Sequence, residues 1–345
     1  MLKKMTILVL AGALILALAG CGGGSAAGGT TEAATDTSIT DASKSSETSA
    51  QTPGKKFKIG VAISNYADTF VAYTLKSIQE KAKEYSSEAD FIFVDCQQNA
   101  STQNTMVENL VAQGVDALIM NAVDSSACDN MIEVCNKANV PVFVFNKKLS
   151  VQDKCETFVG PDDTQIGEVQ ATSLVKQMGE TGNVVIIMGK AGSDNTMKRT
   201  QGNKNILEKY PDIKIVGEDS ASWDRAKSMA IVENWLQSGL KFNAILCNND
   251  EMAVGAALAI KGQNKNLDDY IIAGVDGSPA GLDAVKEGNV DVTIYNSTKW
   301  IGDTVTENCV KYLKGEQINP TNYVQGTVIT KDNVDEAIAS WEGVK

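Results

Sequence analysis

From Phe57 onward the chain alternates short, almost wholly apolar runs with longer amphipathic stretches, and that rhythm leaves few architectures open. The runs are Phe57–Ile63, Phe91–Val94, Ala117–Met120, Val142–Phe145, Val184–Met188, Ala244–Leu246, Ile271–Val275 and Val292–Tyr295. Runs so rich in apolar residues, with only Lys58 and Thr293 among them, suit strands covered on both faces, as in a parallel sheet between helices. The stretches between them carry helical spacing: Val71, Leu75, Ile78, Ala82 and Tyr85 follow one another at steps of four, three, four and three. Met229, Val232 and Leu236 mark a second helix, which Gly239 should close. The pattern predicts an α/β fold of doubly wound parallel sheets. The roughly 290 residues after position 55 suffice for two lobes.

Composition removes several function classes. The sequence holds no histidine, so a serine–histidine–acid triad, a histidine base and every histidine-containing zinc site are excluded. It carries 31 basic and 43 acidic side chains, a formal net charge of −12, which makes nucleic acid an unsuitable partner.

The front of the chain differs from the rest. Lys3 and Lys4 precede an apolar run, Met5 to Leu18, of a length suited to an export signal and shorter than the roughly 20 residues that span a bilayer. Leu18-Ala19-Gly20-Cys21 then resembles the bacterial lipobox, which implies cleavage before Cys21 and lipidation of its thiol. Residues 22 to about 55 are nearly all Gly, Ser, Ala, Thr and acidic, too poor in apolar surface to offset their ordering entropy, and read as a tether. The expectation is an extracytoplasmic protein anchored to the outer face of the cell membrane.

Just past the apolar runs stand Asn121, Asn146, Asn249, Asp276 and Asn296, and the loop after the first run carries Asp68 and Phe70. Singly, such residues are good helix caps and turn formers. Together, at the carboxyl ends of parallel strands, they point to a small polar ligand.

These segments resemble the type I periplasmic sugar-binding proteins, and within them the galactose/glucose branch. The likeness is carried by IGVAISNYADTF at 59–70, GVDALIMNAVDS at 114–125, FNK at 145–147, SWDRAKSMAIVENWL at 222–236, CNNDEMAVGA at 247–256, GVDG at 274–277 and TIYNS at 293–297. It implies a monomeric receptor, without cofactor or catalysis, that closes two lobes on a monosaccharide, galactose or glucose, and delivers it to an ABC permease. A sensing module that reports the same sugar to a chemoreceptor or kinase is the alternative. The implied lobes are 56–150 plus 297–325 and 151–296 plus 326–345, behind a signal at 1–20 and a linker at 21–55, with crossings near 150, 296 and 325. Phe70 and Trp223 would sandwich the sugar ring, covering its C–H faces. Asp68, Asn121, Arg199, Asn249, Asp276 and Asn296 would meet its hydroxyls, a mixture of acceptors and donors that suits a polyol.

Two departures qualify the resemblance. In the loop MGKAGSDNTMKR at 188–199, Ser193 and Asn195 stand where the galactose/glucose branch has a histidine and a carboxylate, so both join the candidate site with altered chemistry. No calcium-loop string precedes the run at 184, and Asn243 stands where a distant Glu ligand would be, so no metal is expected. Gly189-Lys190-Ala191-Gly192 lacks the phosphate-loop spacing, and Ser278 lacks the spacing of a nucleophile elbow. Cys96, Cys128, Cys135, Cys155, Cys247 and Cys309 form no C-x-x-C pair and read as buried small hydrophobes, one surface disulfide remaining open.

Overall fold

The computed structural model describes residues 55–342; the expected leader, Cys21 and all but the last residue of the expected linker lie outside them. The chain begins with β1 (Phe57–Ile63), α1 (Thr69–Glu84), β2 (Ala89–Asp95), α2 (Ala100–Ala112), β3 (Ala117–Met120), α3 (Asp129–Lys137), β4 (Val142–Phe145) and β5 (Thr157–Pro161). It continues through α4 (Asp163–Met178), β6 (Gly182–Met188), α5 (Asp194–Leu207), β7 (Ile213–Ser220), α6 (Arg225–Gln237), β8 (Ala244–Cys247), α7 (Asp250–Gly262), β9 (Ile271–Asp276), α8 (Pro279–Glu287) and β10 (Val292–Tyr295). After these come α9 (Thr298–Leu313), β11 (Thr321–Val324), β12 (Thr327–Ile329) and α10 (Val334–Glu342).

Two six-stranded sheets result, ordered β11-β5-β4-β3-β1-β2 and β12-β10-β9-β8-β6-β7. All strands pair in parallel except β12, which runs antiparallel to β10. In each lobe the chain winds outward in both directions from its first strand, so a crevice opens between β1 and β3 and between β6 and β8. Ligands of open parallel sheets bind at such crevices. The interior explains the apolar runs: Ile59, Val61, Ala62 and Ile63 in the first lobe, and Val184 to Ile187 in the second, are fully buried.

The first crossing corrects an expectation. β5 pairs with β4, Phe143 opposite Thr157, so residues 151–161 belong to the first lobe and the chain leaves it between Pro161 and Asp163, not near 150. Thr157–Pro161 contains only two large apolar residues, Phe158 and Val159, although every residue of it is buried, so it lacks the apolar run that marks most other strands. The other crossings fall between β10 and α9 and between β11 and β12. β7 also lacks a continuous apolar run, because as the edge strand of its sheet it is half exposed along Ile213–Ser220.

Helix pairs are drawn together at glycines. A Cβ on Gly167 of α4 would stand 2.1 Å from the carbonyl oxygen of Arg199, and one on Gly202 of α5 equally 2.1 Å from that of Thr164. The α4 and α5 backbones therefore touch, which fixes Arg199 over the head of α4. Asn203 Nδ2 donates to the Gly167 carbonyl and to Gln170 Oε1, both at 2.9 Å, and Gln170 Nε2 donates in turn to the carbonyls of Cys247 and Ala273. The six cysteines named above are free, and all but Cys155 are buried. Burial pushes the Cys96, Cys128, Cys135 and Cys155 thiols up to about 12, which keeps them protonated at neutral pH.

Gly202→Ala forces α5 off α4, since the contacted atom is backbone and cannot rotate away. The expected loss is on the order of 1–3 kcal/mol, read from the urea midpoint; an unchanged midpoint would mean that the helices can separate freely.

Candidate functional site

Between the carboxyl ends of the two sheets lies a cavity lined by Asp68, Phe70, Asn146 and Lys147 from the first lobe. The second lobe contributes Asn195, Arg199, Trp223, Asn249 and Asp276. Seven residues expected from the sequence thus meet in one place. Several hold two duties at once. Asp68 caps α1, its Oδ1 accepting from Val71 N at 3.0 Å, and the second carboxylate oxygen remains for the cavity. Asn249 caps α7 through Oδ1 to Met252 N at 3.0 Å, which leaves its Nδ2 donors.

The aromatic pair is set differently on each side. Phe70 stands in the first turn of α1 and packs against the first lobe's core. Trp223 follows Ser222 in the left-handed region, φ 71° after 54°, a strained pair for non-glycine residues. The turn persists because the indole lies directly on the β6–α5 loop: a Cβ on Gly189 would come within 2.1 Å of Trp223 Cη2. Gly189 is thus required by the ring above it. Asp276 is a further unusual residue, at φ 118°.

Arg199 is 3% exposed and held from several directions. Its Nε and Nη2 lie 3.2 and 2.5 Å from Asp163 Oδ1, its Nη1 donates to the Asn248 carbonyl, and Asp276 Oδ1 lies 3.9 Å from Nη1. Burial pushes Asp276 well above the ordinary carboxylate range, against the pull of Arg199. Below it Asp250 accepts from Ser278 N at 2.7 Å, Ser278 Oγ at 3.0 Å and Thr293 Oγ1 at 2.6 Å. Burial outweighs these donors and raises Asp250 to about 7. Lys147 is 6% exposed, and burial lowers its pKa while the charge of Asp68 opposes the shift.

Three expected residues lie outside the lining. Asn121 is fully buried and spent on the fold: its Oδ1 accepts from Ser64 N at 3.0 Å and its Nδ2 donates to Ser64 Oγ at 2.8 Å, fastening the end of β1. The first-lobe amide on the cavity is Asn146, one strand farther along, followed by Lys147; FNK was in view in the sequence, but its place over the cavity depends on where β4 ends. Ser193 stands behind Asn195, donating from Oγ to Asn195 Oδ1 at 2.5 Å. That bond occupies the amide oxygen and leaves Asn195 Nδ2 as the group offered to the cavity. Asn296 sits at the second crossing, 1% exposed, and neither its Oδ1 nor its Nδ2 has a hydrogen-bond partner. Among the described residues no cluster of three or more metal-ligating side chains occurs.

The lobes touch at two further places. Ser125, between β3 and α3, accepts a hydrogen bond at 3.3 Å from the backbone N–H of Asp194, the first residue of α5. The residue preceding α5, Ser193, makes no side-chain cap of its own, so this helix start is capped from the opposite lobe. Tyr73 of α1 packs against the core cluster of the second lobe.

A two-lobed receptor with its cavity at the strand ends of both sheets agrees with a family model described as a periplasmic binding protein domain, which matches residues 59–317. The chain belongs to this family. It is a sugar-binding protein of the type I class that serves ABC importers, not an enzyme. It is 33% identical over 267 residues to the ribose import binding protein of Bacillus subtilis, covering 77% of this chain and 85% of that one. A putative rhizopine-binding protein of Rhizobium meliloti is 28% identical, with 81% of this chain and 91% of the relative covered. Among solved structures, an ABC transporter solute binding protein from Bacillus halodurans with bound myo-inositol is 35% identical at a TM-score of 0.80, covering 85% of this chain and 99% of that one. A solute binding protein from Actinobacillus succinogenes with bound D-allose is 27% identical at a TM-score of 0.76, covering 81% and 100%.

Two outcomes follow from this geometry. Ser125→Ala removes the cross-lobe cap, a bond worth about 0.5–1.5 kcal/mol, and should weaken every ligand by the same two- to tenfold factor, because the bond joins the two lobes and Ser125 does not line the cavity. Calorimetry with two or more ligands checks it; a change in their ratio would place Ser125 in contact with ligand. Asp250 and Asp276 have folded values above the unfolded range, so their contribution to stability is complete in acid and fades as pH rises through about 7. The urea midpoint of the ligand-free protein should fall between pH 5 and pH 8, and a rise would show that the hydrogen-bond donors hold both groups ionised.

Proposed function

We propose that this chain is the membrane-tethered receptor of an ABC importer and that its ligand is a single six-membered ring polyol. One observation carries the reading: Phe70 and Trp223 share one small cavity with carboxylates, amides and a guanidinium contributed by both lobes. Aromatic faces cover the C–H surface of a ring while Asp68 and Asp276 accept from its hydroxyls and Arg199, Asn195 and Asn249 donate to them. A ring hydroxyl reaching the second crossing would give Asn296 its missing partner and end the penalty of an unpaired buried amide. Lipidation at Cys21, action as a monomer and docking on a permease in the membrane complete the reading, and it includes no metal and no cofactor.

Galactose and glucose are members of this ligand class, and the Asp68–Phe70 and Trp223–Asp224 pairs favour them. The Ser193–Asn195 pair favours a ring without an anomeric requirement, because the group offered there is a donor instead of a carboxylate. The myo-inositol bound by the 35% identical protein is such a ring. We therefore place myo-inositol ahead of galactose and glucose.

Isothermal calorimetry with myo-inositol, galactose, glucose, allose, ribose and xylitol should show binding strongest for six-membered rings. No binding to any ring polyol would end the proposal. Asn195→Asp replaces donors by acceptors and should shift preference toward free aldoses over their methyl glycosides. Equal ratios in parent and variant would remove Asn195 from the ligand's surroundings.

A further inference from the structure

Arg199 does not need a charged partner to keep its place. Its Nη1 is bonded to the Asn248 carbonyl, and an amide oxygen at position 163 would accept from Nε and Nη2 as a carboxylate does. The protein nevertheless places Asp163 there, 3% exposed, behind the guanidinium and off the cavity lining. Asp163 reaches this position because α4 starts directly after the first crossing and its backbone touches that of α5 at Gly167 and Gly202. What the carboxylate adds beyond the amide is charge. The cavity wall carries two cations, Arg199 and Lys147, and two carboxylates, Asp68 and Asp276. Burial raises Asp276 well above the carboxylate range and lowers Lys147, so the charges facing the cavity are chiefly those of Arg199 and Asp68; Asp163, raised by burial against the pull of Arg199 but held 2.5 Å from Nη2, adds a second negative charge to that pair.

We propose that Asp163 is a positioning residue that sets the charge specificity of the site: by neutralising Arg199 from behind, it turns away ring polyols that carry a carboxylate, such as uronic acids, and favours uncharged ones. An anionic ligand would have to draw Arg199 away from a buried partner or lie against a surplus of negative charge, and either is unfavourable in a site shielded from water. A neutral polyol takes hydrogen bonds from the guanidinium without disturbing the pair. This inference rests on the ring-polyol reading and adds the ligand's charge to it.

The test uses matched pairs that differ only in charge, glucuronate against glucuronamide and galacturonate against galacturonamide, measured by calorimetry at pH 7.5 on the whole protein. The unmodified protein should bind each amide at least about tenfold more tightly than its acid. Asp163→Asn should move that ratio toward the acid by about tenfold or more, and Asp163→Glu, which keeps the charge, should retain the original ratio. A variant in which acid and amide weaken together would reduce Asp163 to a structural support and overturn the proposal. Should Asp163→Asn fail to fold, as judged by circular dichroism and thermal melting, the unmodified protein decides: equal affinity for acid and amide overturns the proposal. Binding of the amides with an unchanged ratio strikes only the role of Asp163, whereas no binding of any neutral ring polyol strikes the ring-polyol reading and this inference with it.

Discussion

A helix that begins inside a protein must find partners for its first N–H groups, and here that requirement places the polar side chains around the cleft. Strands such as β1 and β8 end at the cleft and a helix starts shortly behind them, so the capping residue stands near the mouth of its own strand. A cap uses one side-chain atom. Asp68 and Asn249 commit one oxygen to the helix and keep their other polar atom for the space between the lobes. The same requirement ties the lobes together at α5, whose own Ser193 makes no cap and whose first N–H turns to Ser125 across the cleft. Capping a helix and lining the cleft are therefore not competing explanations for these residues; the geometry of parallel strands makes one follow from the other.

The second requirement is electrical. Arg199, Asp163, Asp250, Asp276 and Lys147 lie in surroundings poor in water, and each is held by named neighbours instead of solvent. Charges in such a place are costly unless hydrogen-bonded, and the glycine contacts between α4 and α5 provide the close approach that the Arg199–Asp163 pair needs. Packing of two helices, remote in appearance from ligand chemistry, thus sets the orientation of the central donor in the cavity.

Strands buried on both faces announced themselves through apolar runs, broken only by Lys58 in β1 and Thr293 in β10, and β1, β3, β4 and β10 begin and end where those runs do. β7 is mixed and half-exposed because it is the edge strand of its sheet, and β11 and β12 are short edge strands whose pairing depends on the chain crossing between lobes, which no local pattern encodes. β5 holds only Phe158 and Val159 as large apolar residues between Thr157 and Gly160-Pro161, so no apolar run marks it, and the first lobe extends to Pro161. In the site, side chains that extend from strand ends were legible. Asn121 and Asn146 look alike in sequence, each an amide after a four-residue apolar run; only the contact of Asn121 with Ser64 separates a fold-holding amide from one on the cavity. Asp163 was unreadable for a related reason, since its importance comes from a helix crossing that brings α5 over it.

The crossing pattern also sets an order of assembly. Ile301, Val305 and Cys309 of α9 share one core with Ile59, Val61 and Ile63 of β1, although all of the second lobe's first five strands lie between them in the chain. During synthesis the first lobe cannot complete that core until α9 has emerged, and contacts so distant in sequence form slowly. The second lobe depends likewise on β12 and α10. Neither lobe is a continuous segment that could be excised and kept whole; cutting the chain between β10 and α9 takes the edge strand β11 and the covering helix α9 from the first lobe and β12 and α10 from the second.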